Sequence, residues 1–202
     1  MIDRWGWGNH QQMSDFSLAL DGPPDESTER TFAGAGVRAR ALVSDHFDFV
    51  WRLLRRLGVP EADVDDTAQQ VFIVGTRRLA DIAPGNERTF LYGTALRVAA
   101  TTRRNLRRRE RFIQSVPGEA DTETRTPHEE LERRRALRFL DQVLRALDDE
   151  QRVVFVLCEI EELTAPQVAD IVGIPVGTVA SRLRRGRVAF AAEIKRLRAQ
   201  GT

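Results

Sequence analysis

Cysteine is all but missing: Cys158 is the single thiol in 202 residues. That excludes an intramolecular disulfide framework and any cysteine-based zinc pattern. Within the apolar run VVFVLC the thiol reads as buried and structural. Histidine is nearly as scarce, and His10, His46 and His128 are scattered without the spacing of metal ligands, so no metal is expected. No apolar run approaches the length needed to span a membrane, and the first residues lack a signal-peptide pattern; the expected compartment is the cytoplasm. Strand alternation and internal repeats are missing as well. So are a nucleophile elbow, a phosphate-binding glycine loop and any other catalytic constellation, so neither enzymatic activity nor a cofactor is expected. Asp65 and Asp66 are neighbouring carboxylates, but an exposed acidic helix face explains them better than an acid–base pair.

Charge is present in quantity and is segregated. The net charge is only +1, yet the segment from Arg97 to Arg111 holds seven arginines against Glu110. Arg182 to Arg198 holds seven basic residues against Glu193. Acids gather near the N-terminus and between Glu119 and Glu132, where six stand against Arg125. Local patches of this kind bind phosphate whatever the sum.

The periodicity is helical throughout, and the expected architecture is all-α, with two small helical domains joined by a flexible linker. Residues 1–36, with DGPPDESTER, read as a flexible N-terminal extension. Trp5 and Trp7 are unusual there and suit docking on a partner or on the chain itself, or do nothing; Met13 is an alternative start. The first domain spans 37–113. Ala41, Leu42, Phe47, Val50, Leu53, Leu54 and Leu57 form the inner face of a helix with a break near Ser44, closed by Gly58 and Pro60. A second helix runs from about Glu61 to Arg78, with Val64, Ala68, Val71, Phe72 and Gly75 inward and Asp63, Asp65, Asp66, Gln69 and Gln70 outward. A third runs from Phe90 to about Phe112, with Leu91, Ala95, Val98 and Ala99 inward. Residues 114–130 are the linker. The second domain, 131–202, starts with a helix to about Leu147, after which Asp148 is a candidate cap for the next.

Leu163 to Arg187 carries the sharpest local signal. Thr164 and Gln167 have capping-box spacing, and Pro166 suits a first helical turn. Val168, Ile171 and Val172 form an apolar stripe, and Gly173 follows where a helix end favours positive φ. Pro175 restarts a helix with Val179 and Leu183 inward. Thr178, Ser181, Arg182, Arg184, Arg185 and Arg187 remain outside, as in a helix-turn-helix whose second helix enters a major groove. A surface helical hairpin with a solvated basic face has the same pattern.

From about Ser44 to Arg198 the chain resembles a bacterial extracytoplasmic-function sigma factor, the smallest class of the sigma-70 family. DVDDTAQQVFIVGTRRL resembles region 2.2, FLYGTALRVAATTRRNLRRRER regions 2.3 to 2.4, and the segment ending GIPVGTVASRLRRGR region 4. The resemblance implies a factor that binds core RNA polymerase, recognises promoter DNA at the minus-10 and minus-35 elements and promotes initiation without chemistry of its own. Asp66, Gln69, Gln70 and Phe72 match the motif that docks on the β′ clamp helices, with Phe72 equally suited to the core. Asn86, Phe90, Tyr92, Arg97, Arg103 and Arg104 match the minus-10 region, where melted DNA needs rings for stacking and cations for phosphate. Phe90-Leu91-Tyr92 replaces the usual Trp-Leu-Tyr, Arg97 a common Asn and Thr101 a common Asp; these departures bear on minus-10 preference. Ser181, Arg184 and Arg185 match minus-35 readers, with Thr178 and Arg182 as phosphate contacts or supports, and Ala180 stands where relatives often carry a larger polar residue. The polymerase β flap and an anti-sigma factor are implied as further partners. A stand-alone repressor using the helix-turn-helix alone would leave AQQVF unexplained, and a mimic that sequesters an anti-sigma factor would not need Arg184 and Arg185.

Overall fold

The structure, a computed structural model, describes residues 26–113 and 128–200, with side chains described for 36–109 and 135–200. Trp5, Trp7, Met13 and most of the linker lie outside the described residues. Helices account for the regular structure: α1 (Glu26–Arg56), α2 (Glu61–Arg77), α3 (Glu87–Ile113), α4 (His128–Arg145), α5 (Asp149–Phe155), α6 (Ala165–Val172) and α7 (Val176–Gln200). A 3-10 turn covers Leu79–Asp81, and a π-helical turn, Val156–Ile160, continues α5. Among the described residues no helix is long and apolar enough to cross a membrane.

The first helix is unbroken at Ser44, contrary to the sequence expectation. Its hydroxyl bonds back to the Ala41 carbonyl at 3.3 Å, which satisfies it inside the helix instead of competing with the helix. The helix also starts at Glu26, within the stretch expected to be flexible. Val50, Leu53 and Leu54 on α1, and Leu57 just after it, are fully buried in one cluster with Val64, Ala68 and Val71 of α2 and Leu91 and Ala95 of α3. Burying a leucine in this way contributes about 1.5–3 kcal/mol relative to leaving it exposed. Phe47, placed inward by its periodicity, is instead 40% exposed and stacks on Phe72, with centroids 6.2 Å apart.

In the C-terminal half α5 packs on α7 and α6 on α7. Leu144, Val154, Leu157, Val168 and Val179 supply the core. Asp148 is the residue before α5, but its carboxylate accepts from the Gln151 side chain at 3.1 Å and not from the helix backbone. Cys158 is half-buried, not buried; burial and the neighbouring Glu159 charge push its thiol pKa up. The described residues from Arg38 onward belong to one compact unit in which α3 packs on α6, so the two helical halves on either side of the linker are in direct contact.

Candidate polymerase and nucleic-acid surfaces

The helix-turn-helix forms as its sequence dictates. The Thr164 backbone N–H donates to Gln167 Oε1 at 2.9 Å, closing the start of α6. Gly173 adopts φ 72, and the Gly173 and Ile174 N–H groups both return to the Ala169 carbonyl, at 2.7 and 3.1 Å. A residue with a Cβ is strained in that left-handed conformation. The turn directs Val179 into the core and leaves Ala180, Arg184 and Arg185 exposed on one side of α7. Thr178 and Ser181 are half-buried, and the Ser181 hydroxyl donates to the Thr178 carbonyl at 3.0 Å. Arg182 differs from its neighbours: its guanidinium pairs with Glu150 of α5 at 2.6 Å, a support role within the fold.

On α2, Asp66, Gln69 and Gln70 are exposed side by side, as the i, i+3, i+4 spacing requires. Phe72 is buried at 6% exposure and backs this face from within. Sequence reasoning missed the apolar members of the same surface: Ile73 is 41% exposed, Val74 37%, and Phe47 joins them from α1. The clue was present in Ile73, which continues the Asp66–Gln69–Gln70 face one turn further. Trp51 donates to Asp65 at 3.0 Å and ties α1 to α2 beside it.

The candidate minus-10 residues divide. Asn86 is exposed at the entrance to α3, Phe90 is half-buried, and Arg97 and Arg104 are exposed. Arg38 of α1 steadies this entrance by bonding to the Ile82 carbonyl and to Glu87. Tyr92 and Arg103 are instead buried, at 2% and 8% exposure. Tyr92 donates its hydroxyl hydrogen to Glu161 at 3.0 Å, and Arg56 and Arg88 bond to the same carboxylate at 2.6 and 3.2 Å. Arg88 also lies over the Phe49 ring, 4.5 Å from its centroid. Burial, with the Glu161 charge, pushes the Tyr92 pKa up to about 12.

Arg103 donates to the Leu57 carbonyl at the end of α1, where Arg152 of α5 also points a guanidinium nitrogen, 3.4 Å away. Arg152 further donates to the carbonyls of Leu144 at 2.7 Å, Arg145 at 2.9 Å and Leu147 at 3.0 Å, closing the C-terminus of α4. Burial, then the Arg103 charge, lowers the Arg152 pKa to about 10. Asp149 is the counter-charge: it pairs with Arg103 at 3.3 Å, with Arg152 at 3.6 Å and with Arg107. Burial opposes its ionisation, but the Arg107 hydrogen bond and the surrounding guanidiniums outweigh burial and hold its carboxyl below the ordinary value. No local sequence signal marks Asp149 or Glu161 for these roles, since their partners on α3 lie 42 and 69 residues away. Among the described residues no cluster of histidine, cysteine and carboxylates is arranged to hold a metal.

The family model for sigma-70 region 4 matches residues 137–190. The chain is 31% identical to ECF RNA polymerase sigma factor SigE of Mycolicibacterium smegmatis, over 82% of this chain and 67% of that one. It is 30% identical to RNA polymerase sigma factor NccH of Alcaligenes xylosoxydans xylosoxydans, over 75% and 83% respectively. In fold it is similar to CnrH in complex with the cytosolic domain of CnrY, with TM-score 0.60 and 24% identity over 83% of this chain and 94% of that one. It is also similar to the sigma factor RpoE in complex with the anti-sigma factor NepR from Bartonella quintana, with TM-score 0.59 and 19% identity over 77% and 98%. With a helix-turn-helix carrying exposed arginines and these similarities across both halves, the chain belongs to the ECF sigma factors, RNA polymerase subunits that promote the initiation of transcription.

Proposed function

We propose that this sigma factor divides promoter recognition between its two halves, 37–113 and 131–202, and docks on core polymerase through α2. Asp66, Gln69 and Gln70 offer carboxylate and amide groups to basic side chains of the β′ clamp helices, and Ile73, Val74 and Phe47 supply the apolar contact beside them. The exposure of that mixed polar and apolar stripe is the observation that carries this reading, because a repressor working through α7 alone has no use for it. Arg184 and Arg185, with Ser181, read the minus-35 duplex, while Thr178 and Arg182 support them. Asn86, Phe90, Arg97 and Arg104 take melted minus-10 DNA, joined by Tyr92 and Arg103 once these are released from the C-terminal half. The protein itself carries no catalytic group and acts in the cytoplasm, where an anti-sigma factor covers these surfaces; the β flap meets the C-terminal half. The N-terminal extension regulates the factor by masking a basic face.

Run-off transcription with purified bacterial core polymerase tests the whole. Specific transcripts from a pool of genomic promoters should appear only when this protein is added. Duplex binding without core, together with no transcripts, would overturn the reading in favour of a repressor.

A further inference from the structure

Glu161 and Asp149 share an unusual placement. Both belong to the C-terminal half, and both sit in anion cradles built largely by the other half. The Glu161 side chain is only 5% exposed and takes donors from Arg56, Arg88 and Tyr92. Asp149 takes Arg103 and Arg107 from α3, with Arg152 from its own helix. Arg88 and Arg107 are nineteen residues apart along α3, about 28 Å of helix. The two carboxylates therefore clamp α3 near both ends. A guanidinium and phenol cradle is equally suited to a phosphate oxygen. Glu161 is presented at an irregular point of the chain. The π turn Val156–Ile160 precedes it, and Glu162 follows in the left-handed region at φ 57, where a side chain is strained. Beside it a polar cleft of about 580 Å³ is lined by Arg52, Arg56, Arg88 and the Phe49 ring together with the carboxylates Asp45 and Asp48, with Glu161 against them.

We propose that Glu161 and Asp149 are internal substitutes for promoter phosphates, holding the free factor closed over its own minus-10 face, so that single-stranded DNA and the C-terminal carboxylates compete for the same donors. The inference rests on the reading of α3 as the minus-10 surface. It explains why Tyr92 and Arg103, which match that surface in sequence, are buried while Arg97 and Arg104 on the same helix stay exposed. Opening exchanges two carboxylates for phosphate groups at little net electrostatic cost, which makes the closed state reversible.

The test uses the full chain carrying Glu161→Gln with Asp149→Asn, and as a charge-matched control Glu159→Gln with Asp170→Asn. Binding of a fluorescein-labelled single-stranded oligodeoxynucleotide of mixed sequence is followed by anisotropy, and amide hydrogen exchange along α3 is measured in parallel. The first variant should bind about tenfold more tightly than the control and exchange faster along α3. Equal affinity of variant and control would overturn the proposal, as would unchanged exchange. Run-off transcription by Arg97→Ala with Arg104→Ala separates the two possible failures. If that pair loses transcription while the carboxylate variant binds DNA no better, self-closure is wrong and the minus-10 face stands. If the arginine pair transcribes normally, the minus-10 reading falls and takes this proposal with it.

Discussion

Arg103 and Arg152 direct their guanidiniums at one carbonyl oxygen, that of Leu57, from helices on opposite sides of the linker. Two cations meet there because the residue that follows α1, Leu57, is fully buried, and its carbonyl needs a donor from within the fold. Asp149 neutralises part of the resulting charge, and the halves become joined through a helix terminus.

Arg152→Lys should destabilise the chain by about 2–4 kcal/mol, although charge is kept. An ammonium cannot reach the carbonyls of Leu57, Leu144, Arg145 and Leu147 together, and orphaned buried acceptors are costly. Urea unfolding followed by circular dichroism checks this; a midpoint equal to that of the parent would contradict it.

Gly58→Ala and Gly85→Ala form a matched pair. Both glycines have φ 86, so both substitutions meet backbone strain of about 1 kcal/mol or more. A Cβ at Gly85 meets nothing within 4 Å, whereas at Gly58 it collides with Arg152 Nη1. Gly58→Ala should therefore lower the thermal midpoint further than Gly85→Ala. Equal shifts would mean that the guanidinium moves aside freely.

Acid should weaken the join between the halves. Asp149 has a folded pKa below its ordinary 3.8. Its stabilising contribution is thus fully present above that ordinary value and is lost as pH falls through the lower, folded one. Stability measured from pH 7 down to pH 2 should show the parent's advantage over Asp149→Asn constant at first and shrinking only at the acid end.

Arg184→Ala or Arg185→Ala should weaken binding of promoter-bearing duplex by holoenzyme by about 1–3 kcal/mol each. Filter binding across a salt series distinguishes their roles. A phosphate contact reduces the salt slope by about one, while a base contact relaxes sequence preference and leaves the slope in place.

Ile73→Asp should cut affinity for core polymerase about tenfold or more, because the residue is exposed and apolar on the proposed docking stripe. Folding should be unaffected for the same reason. Sedimentation with core polymerase measures the first, and the circular dichroism spectrum the second.

Much of this molecule was legible in its residues. The α6–α7 turn announced itself through Thr164, Gln167, Gly173 and Pro175, because capping and positive φ are local requirements met within a few residues. The exposed row Asp66, Gln69, Gln70 followed from helical spacing alone. Phe47 misled, since periodicity marks a face and not its neighbours, and its ring is only partly covered by Phe72 of α2. Ser44 misled because its hydroxyl found a partner within its own helix.

By itself the sequence determined the helices, the turn that separates α6 from α7, and the segregation of arginines onto α3 and α7. Each follows from spacing, capping and composition over short distances. Only the tertiary structure decided which of those arginines are available. Arg97, Arg104, Arg184 and Arg185 are exposed, while Arg103 and Arg182 are drawn into contacts within the fold. That choice depends on where carbonyls and carboxylates distant in sequence come to lie, which no local pattern encodes.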